Sequence, residues 1–151
     1  MNPRLSILSA GPGVTLQDGG RHGYLRYGIT AAGPMDPLAH ATANRALGNP
    51  LGATALEVSL GGVEVTAEGG PLGIAVAGGA FRLALDGAPL PPACALTLHP
   101  GQSLVVWAGR VGAWAYLAAA GRFDRPPEEI RVVLGPQDDF FSDDQIAAFL
   151  A

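Results

Sequence analysis

GPGVTLQDGGRHGYLRYGITAAGPMD, residues 11–36, decides how the chain is read. Seven glycines, at positions 11, 13, 19, 20, 23, 28 and 33, stand among Gln17, Asp18, Arg21, His22, Tyr24 and Arg26. Strand and helix interiors do not carry glycine at that density, since each costs about 0.5–1 kcal/mol there relative to alanine. The stretch is therefore a shaped loop, closed where Asp36-Pro37 opens a helix. Two readings of the loop stand open. In one, the glycines make turns and Asp18 pairs with Arg21 to pin them. In the other, the loop holds a carboxylate, amide or phosphate, with the Arg21 or Arg26 guanidinium as forked donor.

Upstream of the loop, Leu5 and Ile7 alternate with Arg4 and Ser6, the pattern of a half-buried first strand. Downstream, Asp36 is a favoured N-cap and Pro37 a favoured first helical residue. The helix runs to Leu47 and stops at Gly48-Asn49-Pro50. From Thr54 the period changes from helical to alternating. ALEVSL and VEVT, joined by Gly61-Gly62, read as two tightly linked strands; a short strand follows from Leu72 and ends at Gly78-Gly79. Phe81, Leu83 and Leu85 alternate into Asp86-Gly87, a hairpin signal. Strands at Leu96–Leu98, Leu104–Trp107 and Trp114–Ala119 complete the run. Short strands at this spacing predict a mainly β barrel or sandwich with one helix. Past Ala120 the texture turns polar and Pro-rich. A strand from Ile130 and a capping box at Ser142-Asp-Asp-Gln145 then open further structure, and a helix reaching the last residue reads as a fragment of something longer.

Composition narrows the function. At 151 residues the chain suits one substantial core, and its 48% apolar content is largely alanine with no bilayer-length run. The N-terminus has no secretory h-region, so cytoplasm is the default. Net charge is −4 without a basic cluster, which argues against a nucleic-acid partner, and no membrane partner is indicated. All nine basic residues are arginine. With no lysine, the chain carries no Walker A lysine, Schiff-base lysine or biotinyl-lysine. Cys94, the only cysteine, excludes an internal disulfide and reads as a small buried residue entering a strand.

The search for catalytic groups returns little. His22, His40 and His99 share no metal-ligand spacing, so no metal is expected, and no serine sits in a GxSxG elbow. Glu57 is the one carboxylate inside an apolar strand. It either faces solvent, as alternation favours, or meets an arginine or backbone donors at the barrel mouth. The catalytic residues stay unassigned.

An ordered set of short matches carries a resemblance: Gln17-Asp18, Gly20-Arg21, Gly23-Tyr24, Gly28, Gly33-Pro34-Met35-Asp36, Ala43-Asn44, Gly48-Asn49 and Leu56-Glu57. Weaker matches follow at Ala77-Gly78-Gly79, Pro100-Gly101, Ala115-Tyr116-Leu117-Ala118 and Val133 to Asp139. Together they resemble the allophanate hydrolase subunit 2 family, also called the biotin-dependent carboxyltransferase family, which includes the 5-oxoprolinase C subunit and the sporulation regulator KipA. Where members usually carry leucine, this chain has Gly19, and residues 121–129 stand in place of a longer family segment.

The resemblance implies a cyclophilin-like β-barrel over 1–120 with one capping helix, a linker over 121–129, and the start of a second barrel-like half over 130–151. It implies one component of an ATP-dependent 5-oxoprolinase complex that opens 5-oxoproline to glutamate. Proteins like the A and B subunits of that complex, or a KipI-like protein, would be the partners. ATP would be used by the complex, and biotin would ride only on a partner. The alternatives are the carboxyltransferase component of a urea carboxylase-type enzyme, or a KipA-like regulatory module or degenerate fragment. The implied substrate-binding set is Gln17, Asp18, Arg21, Asp36, Asn44 and Glu57. The glycines allow a tight return, which predicts Gln17, Asp18, Arg21, Asp36 and Asn44 at one rim. There Arg21 would anchor an anion or amide, Asp18 would orient it, and Asn44 would meet the loop backbone.

Overall fold

The computed structural model describes residues 2–121. Eight strands form a single antiparallel sheet: β1 (Arg4–Ala10), β2 (Thr15–Gln17), β3 (Ala55–Val58), β4 (Val63–Glu68), β5 (Leu72–Leu85), β6 (Ala88–Leu90), β7 (Cys94–Leu98) and β8 (Ser103–Ala119). One helix, α1 (Pro37–Ala46), packs outside it, and a 3-10 turn covers Leu25–Tyr27. The sheet curls into a half-barrel. Mainly β with one helix is what the alternation predicts.

Strand β8 is the axis of the sheet. Along one edge it pairs with β5 from Ile74↔Ala119 to Leu85↔Leu104. Along the other it pairs first with β4, as in Val63↔Val106, and then with β3, as in Leu56↔Leu117. Strands β1 and β2 extend the sheet beyond β4 and β3, while β6 and β7 pair with β5. The Gly61-Gly62 link therefore joins two strands that do not pair with each other but lie in series along β8.

Two expected breaks are not breaks. Leu72–Ala77 and Phe81–Leu85 fuse into one β5, and the two expected strands after residue 103 fuse into one β8. The glycines there make bulges rather than turns. While β5 advances from Gly78 to Ala80, β8 retreats from Ala115 to Val111. Gly109 lies in this distorted stretch, where a Cβ would sit 1.6 Å from the carbonyl oxygen of Ala80. At Asp86-Gly87 the expected turn is real: both residues have positive φ (50° and 81°), and Leu85 pairs with Ala88.

The sheet buries both faces near the end of β8. Inside the curl, Leu56, Val58, Val65, Ile74, Leu104, Val106 and Leu117 form the main core. Outside, Ala39 and Ala43 of α1 pack on Ala55, Ala77, Tyr116 and Ala118. Small side chains on both surfaces let the helix approach closely, which is where much of the alanine content goes. β1 exists as expected, yet Ile7 stays 36% exposed, because the register shifts between Ile7 and Ser9. The expected linker, the strand from Ile130 and the helix after Ser142 lie outside the described residues. Among the described residues, no helix is long and apolar enough to cross a membrane.

Candidate functional site

Helix α1 starts as its sequence directs. Asp36 caps it, with Oδ1 accepting the Ala39 amide at 3.0 Å, and Pro37 holds the first turn. The cap fixes the end of the glycine loop above the outer face of the sheet. On that face the register aligns one residue from each of four strands: Thr15 opposite Glu57, Glu57 opposite Tyr116, and Tyr116 opposite Ala77. All five buried polar side chains among the described residues, Thr15, Gln17, His40, Asn44 and Glu57, belong to these strands or to α1. The interior of the curl holds only apolar side chains. A polar seam thus runs between helix and sheet.

The seam closes around Glu57. Its Oε2 accepts two hydrogen bonds, from the Tyr116 hydroxyl at 2.7 Å and from the Met35 amide at 2.8 Å. The Tyr116 oxygen in turn accepts the Asp36 amide at 2.8 Å. Burial pushes the Tyr116 phenol well above its usual range; the adjacent Glu57 carboxylate pushes the same way, against the Asp36 amide, which pulls it down. His40 stands edge-on to Tyr116, with ring centroids 5.6 Å apart, and its Nε2 lies 2.9 Å from the Gln17 carbonyl. A carbonyl only accepts, so this nitrogen carries the proton. Gln17 donates from Nε2 to Thr15 Oγ1 at 3.1 Å. One connected network therefore ties β2, β3, β8, α1 and the loop end together.

The six expected site residues separate into groups. Gln17, Asp36 and Glu57 join this network. Glu57 meets a phenol and a backbone amide rather than solvent: strand alternation does point it outward, but α1 covers the outward face. Asp18 lies on the exposed side of the loop, where its Oδ1 accepts the Gly20 amide at 2.8 Å. That is a turn closed on itself rather than an ion pair with Arg21. Half-buried Arg21 donates its backbone amide to Ala31 at 2.5 Å, drawing the loop together. Gly20 makes this return possible, with φ +82° and Ala31 O only 2.6 Å from where a Cβ would stand. Gly19 lies against Gly52 and donates to its carbonyl at 3.1 Å, so the small residue lets a second loop close on the first. Arg26 stacks over Tyr27 at 4.7 Å.

Asn44 sits at the opposite end of α1. It does not meet the glycine loop: Nδ2 donates to Ala53 O at 2.8 Å and Oδ1 accepts from Asn49 at 3.1 Å. Asn49 also donates to the Ala119 carbonyl at 2.8 Å, locking the helix end to β8. Sequence reading passed over Tyr116 and His40. The available signal was the position of His40 one turn after the cap; Tyr116 lies in the continuous apolar run AWAYLAAA, which marks it only as buried.

The chain is similar to known proteins. Residues 27–128 match the family described as carboxyltransferase domain, subdomain A and B. The chain is 37% identical to the 5-oxoprolinase C subunit of Escherichia coli K12 over 82% of its own length and 39% of that protein's. It is 35% identical to urea amidolyase of Lachancea kluyveri over 80% of its length, but spans only 7% of that protein. The crystal structure of Kluyveromyces lactis urea carboxylase superposes with a TM-score of 0.74 at 34% identity, covering 81% of this chain and 11% of that one.

Proposed function

The chain belongs to the carboxyltransferase domain family, subdomain A and B, and from that premise we propose that it forms one wall of a shared active site in a cytoplasmic, ATP-dependent 5-oxoprolinase complex. The observation that carries this reading is the buried seam: Asp36, His40, Glu57 and Tyr116 all fall within the family-matched residues 27–128. Likeness to the 5-oxoprolinase C subunit over most of the chain supports the choice of reaction. Proteins like the A and B subunits of 5-oxoprolinase, or a KipI-like protein, are the proposed partners, because a relative named as one lettered component works beside others.

ATP is assigned to those partners. This chain has no lysine to reach a nucleotide phosphate. Its own residues hold the loop end, bring a carboxylate and a phenol to one place, and exclude water beneath α1. Co-purification with the A-like and B-like partners, followed by glutamate and phosphate release from 5-oxoproline and ATP, tests the reading. Turnover is expected only when all three are present; a complex that forms but makes no glutamate overturns it.

A second reading rests on the likeness to Kluyveromyces lactis urea carboxylase. In it the chain is the carboxyltransferase component, taking a carboxyl group from biotin carried by a partner. Carboxylation of urea by a biotinylated partner plus this chain, with no 5-oxoproline turnover, would favour it. Both substrates share one chemical feature, an N–H bonded to a carbonyl carbon.

A further inference from the structure

Glu57 keeps one oxygen uncommitted. Both of its donors, Met35 N and Tyr116 Oη, converge on Oε2. Among the described residues Oε1 meets no donor, and Glu57 has no ion-pair partner. The side chain is 4% exposed, and Oε1 is not closed over. A carboxylate oxygen that reaches the surface without a protein donor can accept a hydrogen bond from a ligand in place of water. Turning the carboxylate to share its donors would release the loop end at Met35 and the phenol of Tyr116.

We propose that Glu57 Oε1 is an acceptor subsite for the N–H of a ligand in which nitrogen is bonded to a carbonyl, a lactam or a ureido group. The proposal rests on the reading above and names the chemistry of that site. The Asp36 backbone amide donates to the Tyr116 oxygen, while the Asp36 carboxylate is engaged in capping α1 through Ala39 N. The Glu57 carboxylate itself disfavours an anionic end of the ligand there and favours a neutral donor. Tyr116 cannot compete for the ligand as a donor, since its proton is held on Oε2, so Oε1 selects for N–H and against a bare carbonyl.

Matched probe pairs test this on the full chain, without partners or ATP. The amide signals of Met35 and Asp36 are followed by two-dimensional NMR during titration. The probes are 2-pyrrolidinone against N-methyl-2-pyrrolidinone, and urea against tetramethylurea at concentrations below denaturation. The N–H member of at least one pair should shift both signals saturably, and its methylated twin at least about ten-fold more weakly. A response to the lactam pair alone assigns a lactam, to the urea pair alone a ureido group, and to both the shared amide chemistry. Equal responses within both pairs, or none to any probe, overturn the proposal. Glu57→Gln supplies the second arm. Its single carbonyl oxygen goes to Met35 and Tyr116, which leaves an NH2 facing outward, and binding of the N–H probe should fall at least about ten-fold with the Met35 and Asp36 signals still dispersed. Undiminished binding by a folded Glu57→Gln overturns it. If that variant does not fold, the probe pairs on the native chain decide. A complex inactive toward 5-oxoproline leaves these titrations standing, and an active complex with no N–H discrimination overturns the subsite alone.

Discussion

Tyr116 uses one oxygen twice, as donor to Glu57 and as acceptor from the Asp36 amide. Tyr116→Phe keeps the ring, strands the Asp36 amide and leaves Glu57 Oε2 with Met35 alone, so a loss of about 1–3 kcal/mol in chemical denaturation is expected. The same residue sets an alkaline limit. Its folded pKa is raised, so the neutral phenol's contribution is whole below the unfolded value near 10 and is lost as pH climbs above it. The melting temperature of the native chain should fall more steeply above about pH 10 than that of Tyr116→Phe. A parallel decline in the two would refute the assignment. Arg21→Ala separates loop from site: unchanged melting with lost complex activity supports a ligand role, whereas melting that accounts for the whole loss makes the residue part of the loop's architecture. Glu57 shows why residues like these are half legible. Alternation tells which face a strand residue takes, but whether a helix lies over that face depends on packing between distant segments.

At the scale of elements, α1 was the most readable piece, because capping chemistry is local: Asp36, Pro37 and Gly48 mark its ends without reference to anything else. Asp36→Ala should cost about 1 kcal/mol through the lost cap, seen as a lower melting midpoint with native far-ultraviolet dichroism. The Asp86-Gly87 hairpin was legible for the same local reason. The long strands were not. Gly78-Gly79 read as the end of a strand, and Leu104–Trp107 and Trp114–Ala119 as separate strands, whereas the glycines in both places permit bulges whose existence depends on a partner strand far away in sequence. Gly109→Ala drives a methyl into the Ala80 carbonyl, and a loss of about 1–3 kcal/mol is expected in denaturant unfolding. A neutral result would mean that the bulge relaxes freely.

At the scale of the whole molecule, β8 is paired along both edges, while among the described residues β1, β2, β6 and β7 are each paired on one side. Amide exchange should therefore be slowest at Tyr116 and Leu117 and fastest at the outer strands. Uniform protection would contradict this ordering. The family was legible from ordered motifs in the loop and helix, whereas the seam linking them was not, because it is assembled from four strands and a helix that meet only in three dimensions. Strand β8 also carries its own proofreading. Its alternate residues serve opposite surfaces, Leu117 the inner core and Tyr116 the outer seam. A pairing error of a single residue would send the phenol into the greasy interior and a leucine beneath the helix cap, losing both surfaces at once. Misaligned chains are thus strongly disfavoured, and an intact seam certifies that the sheet beneath it was built in the correct frame.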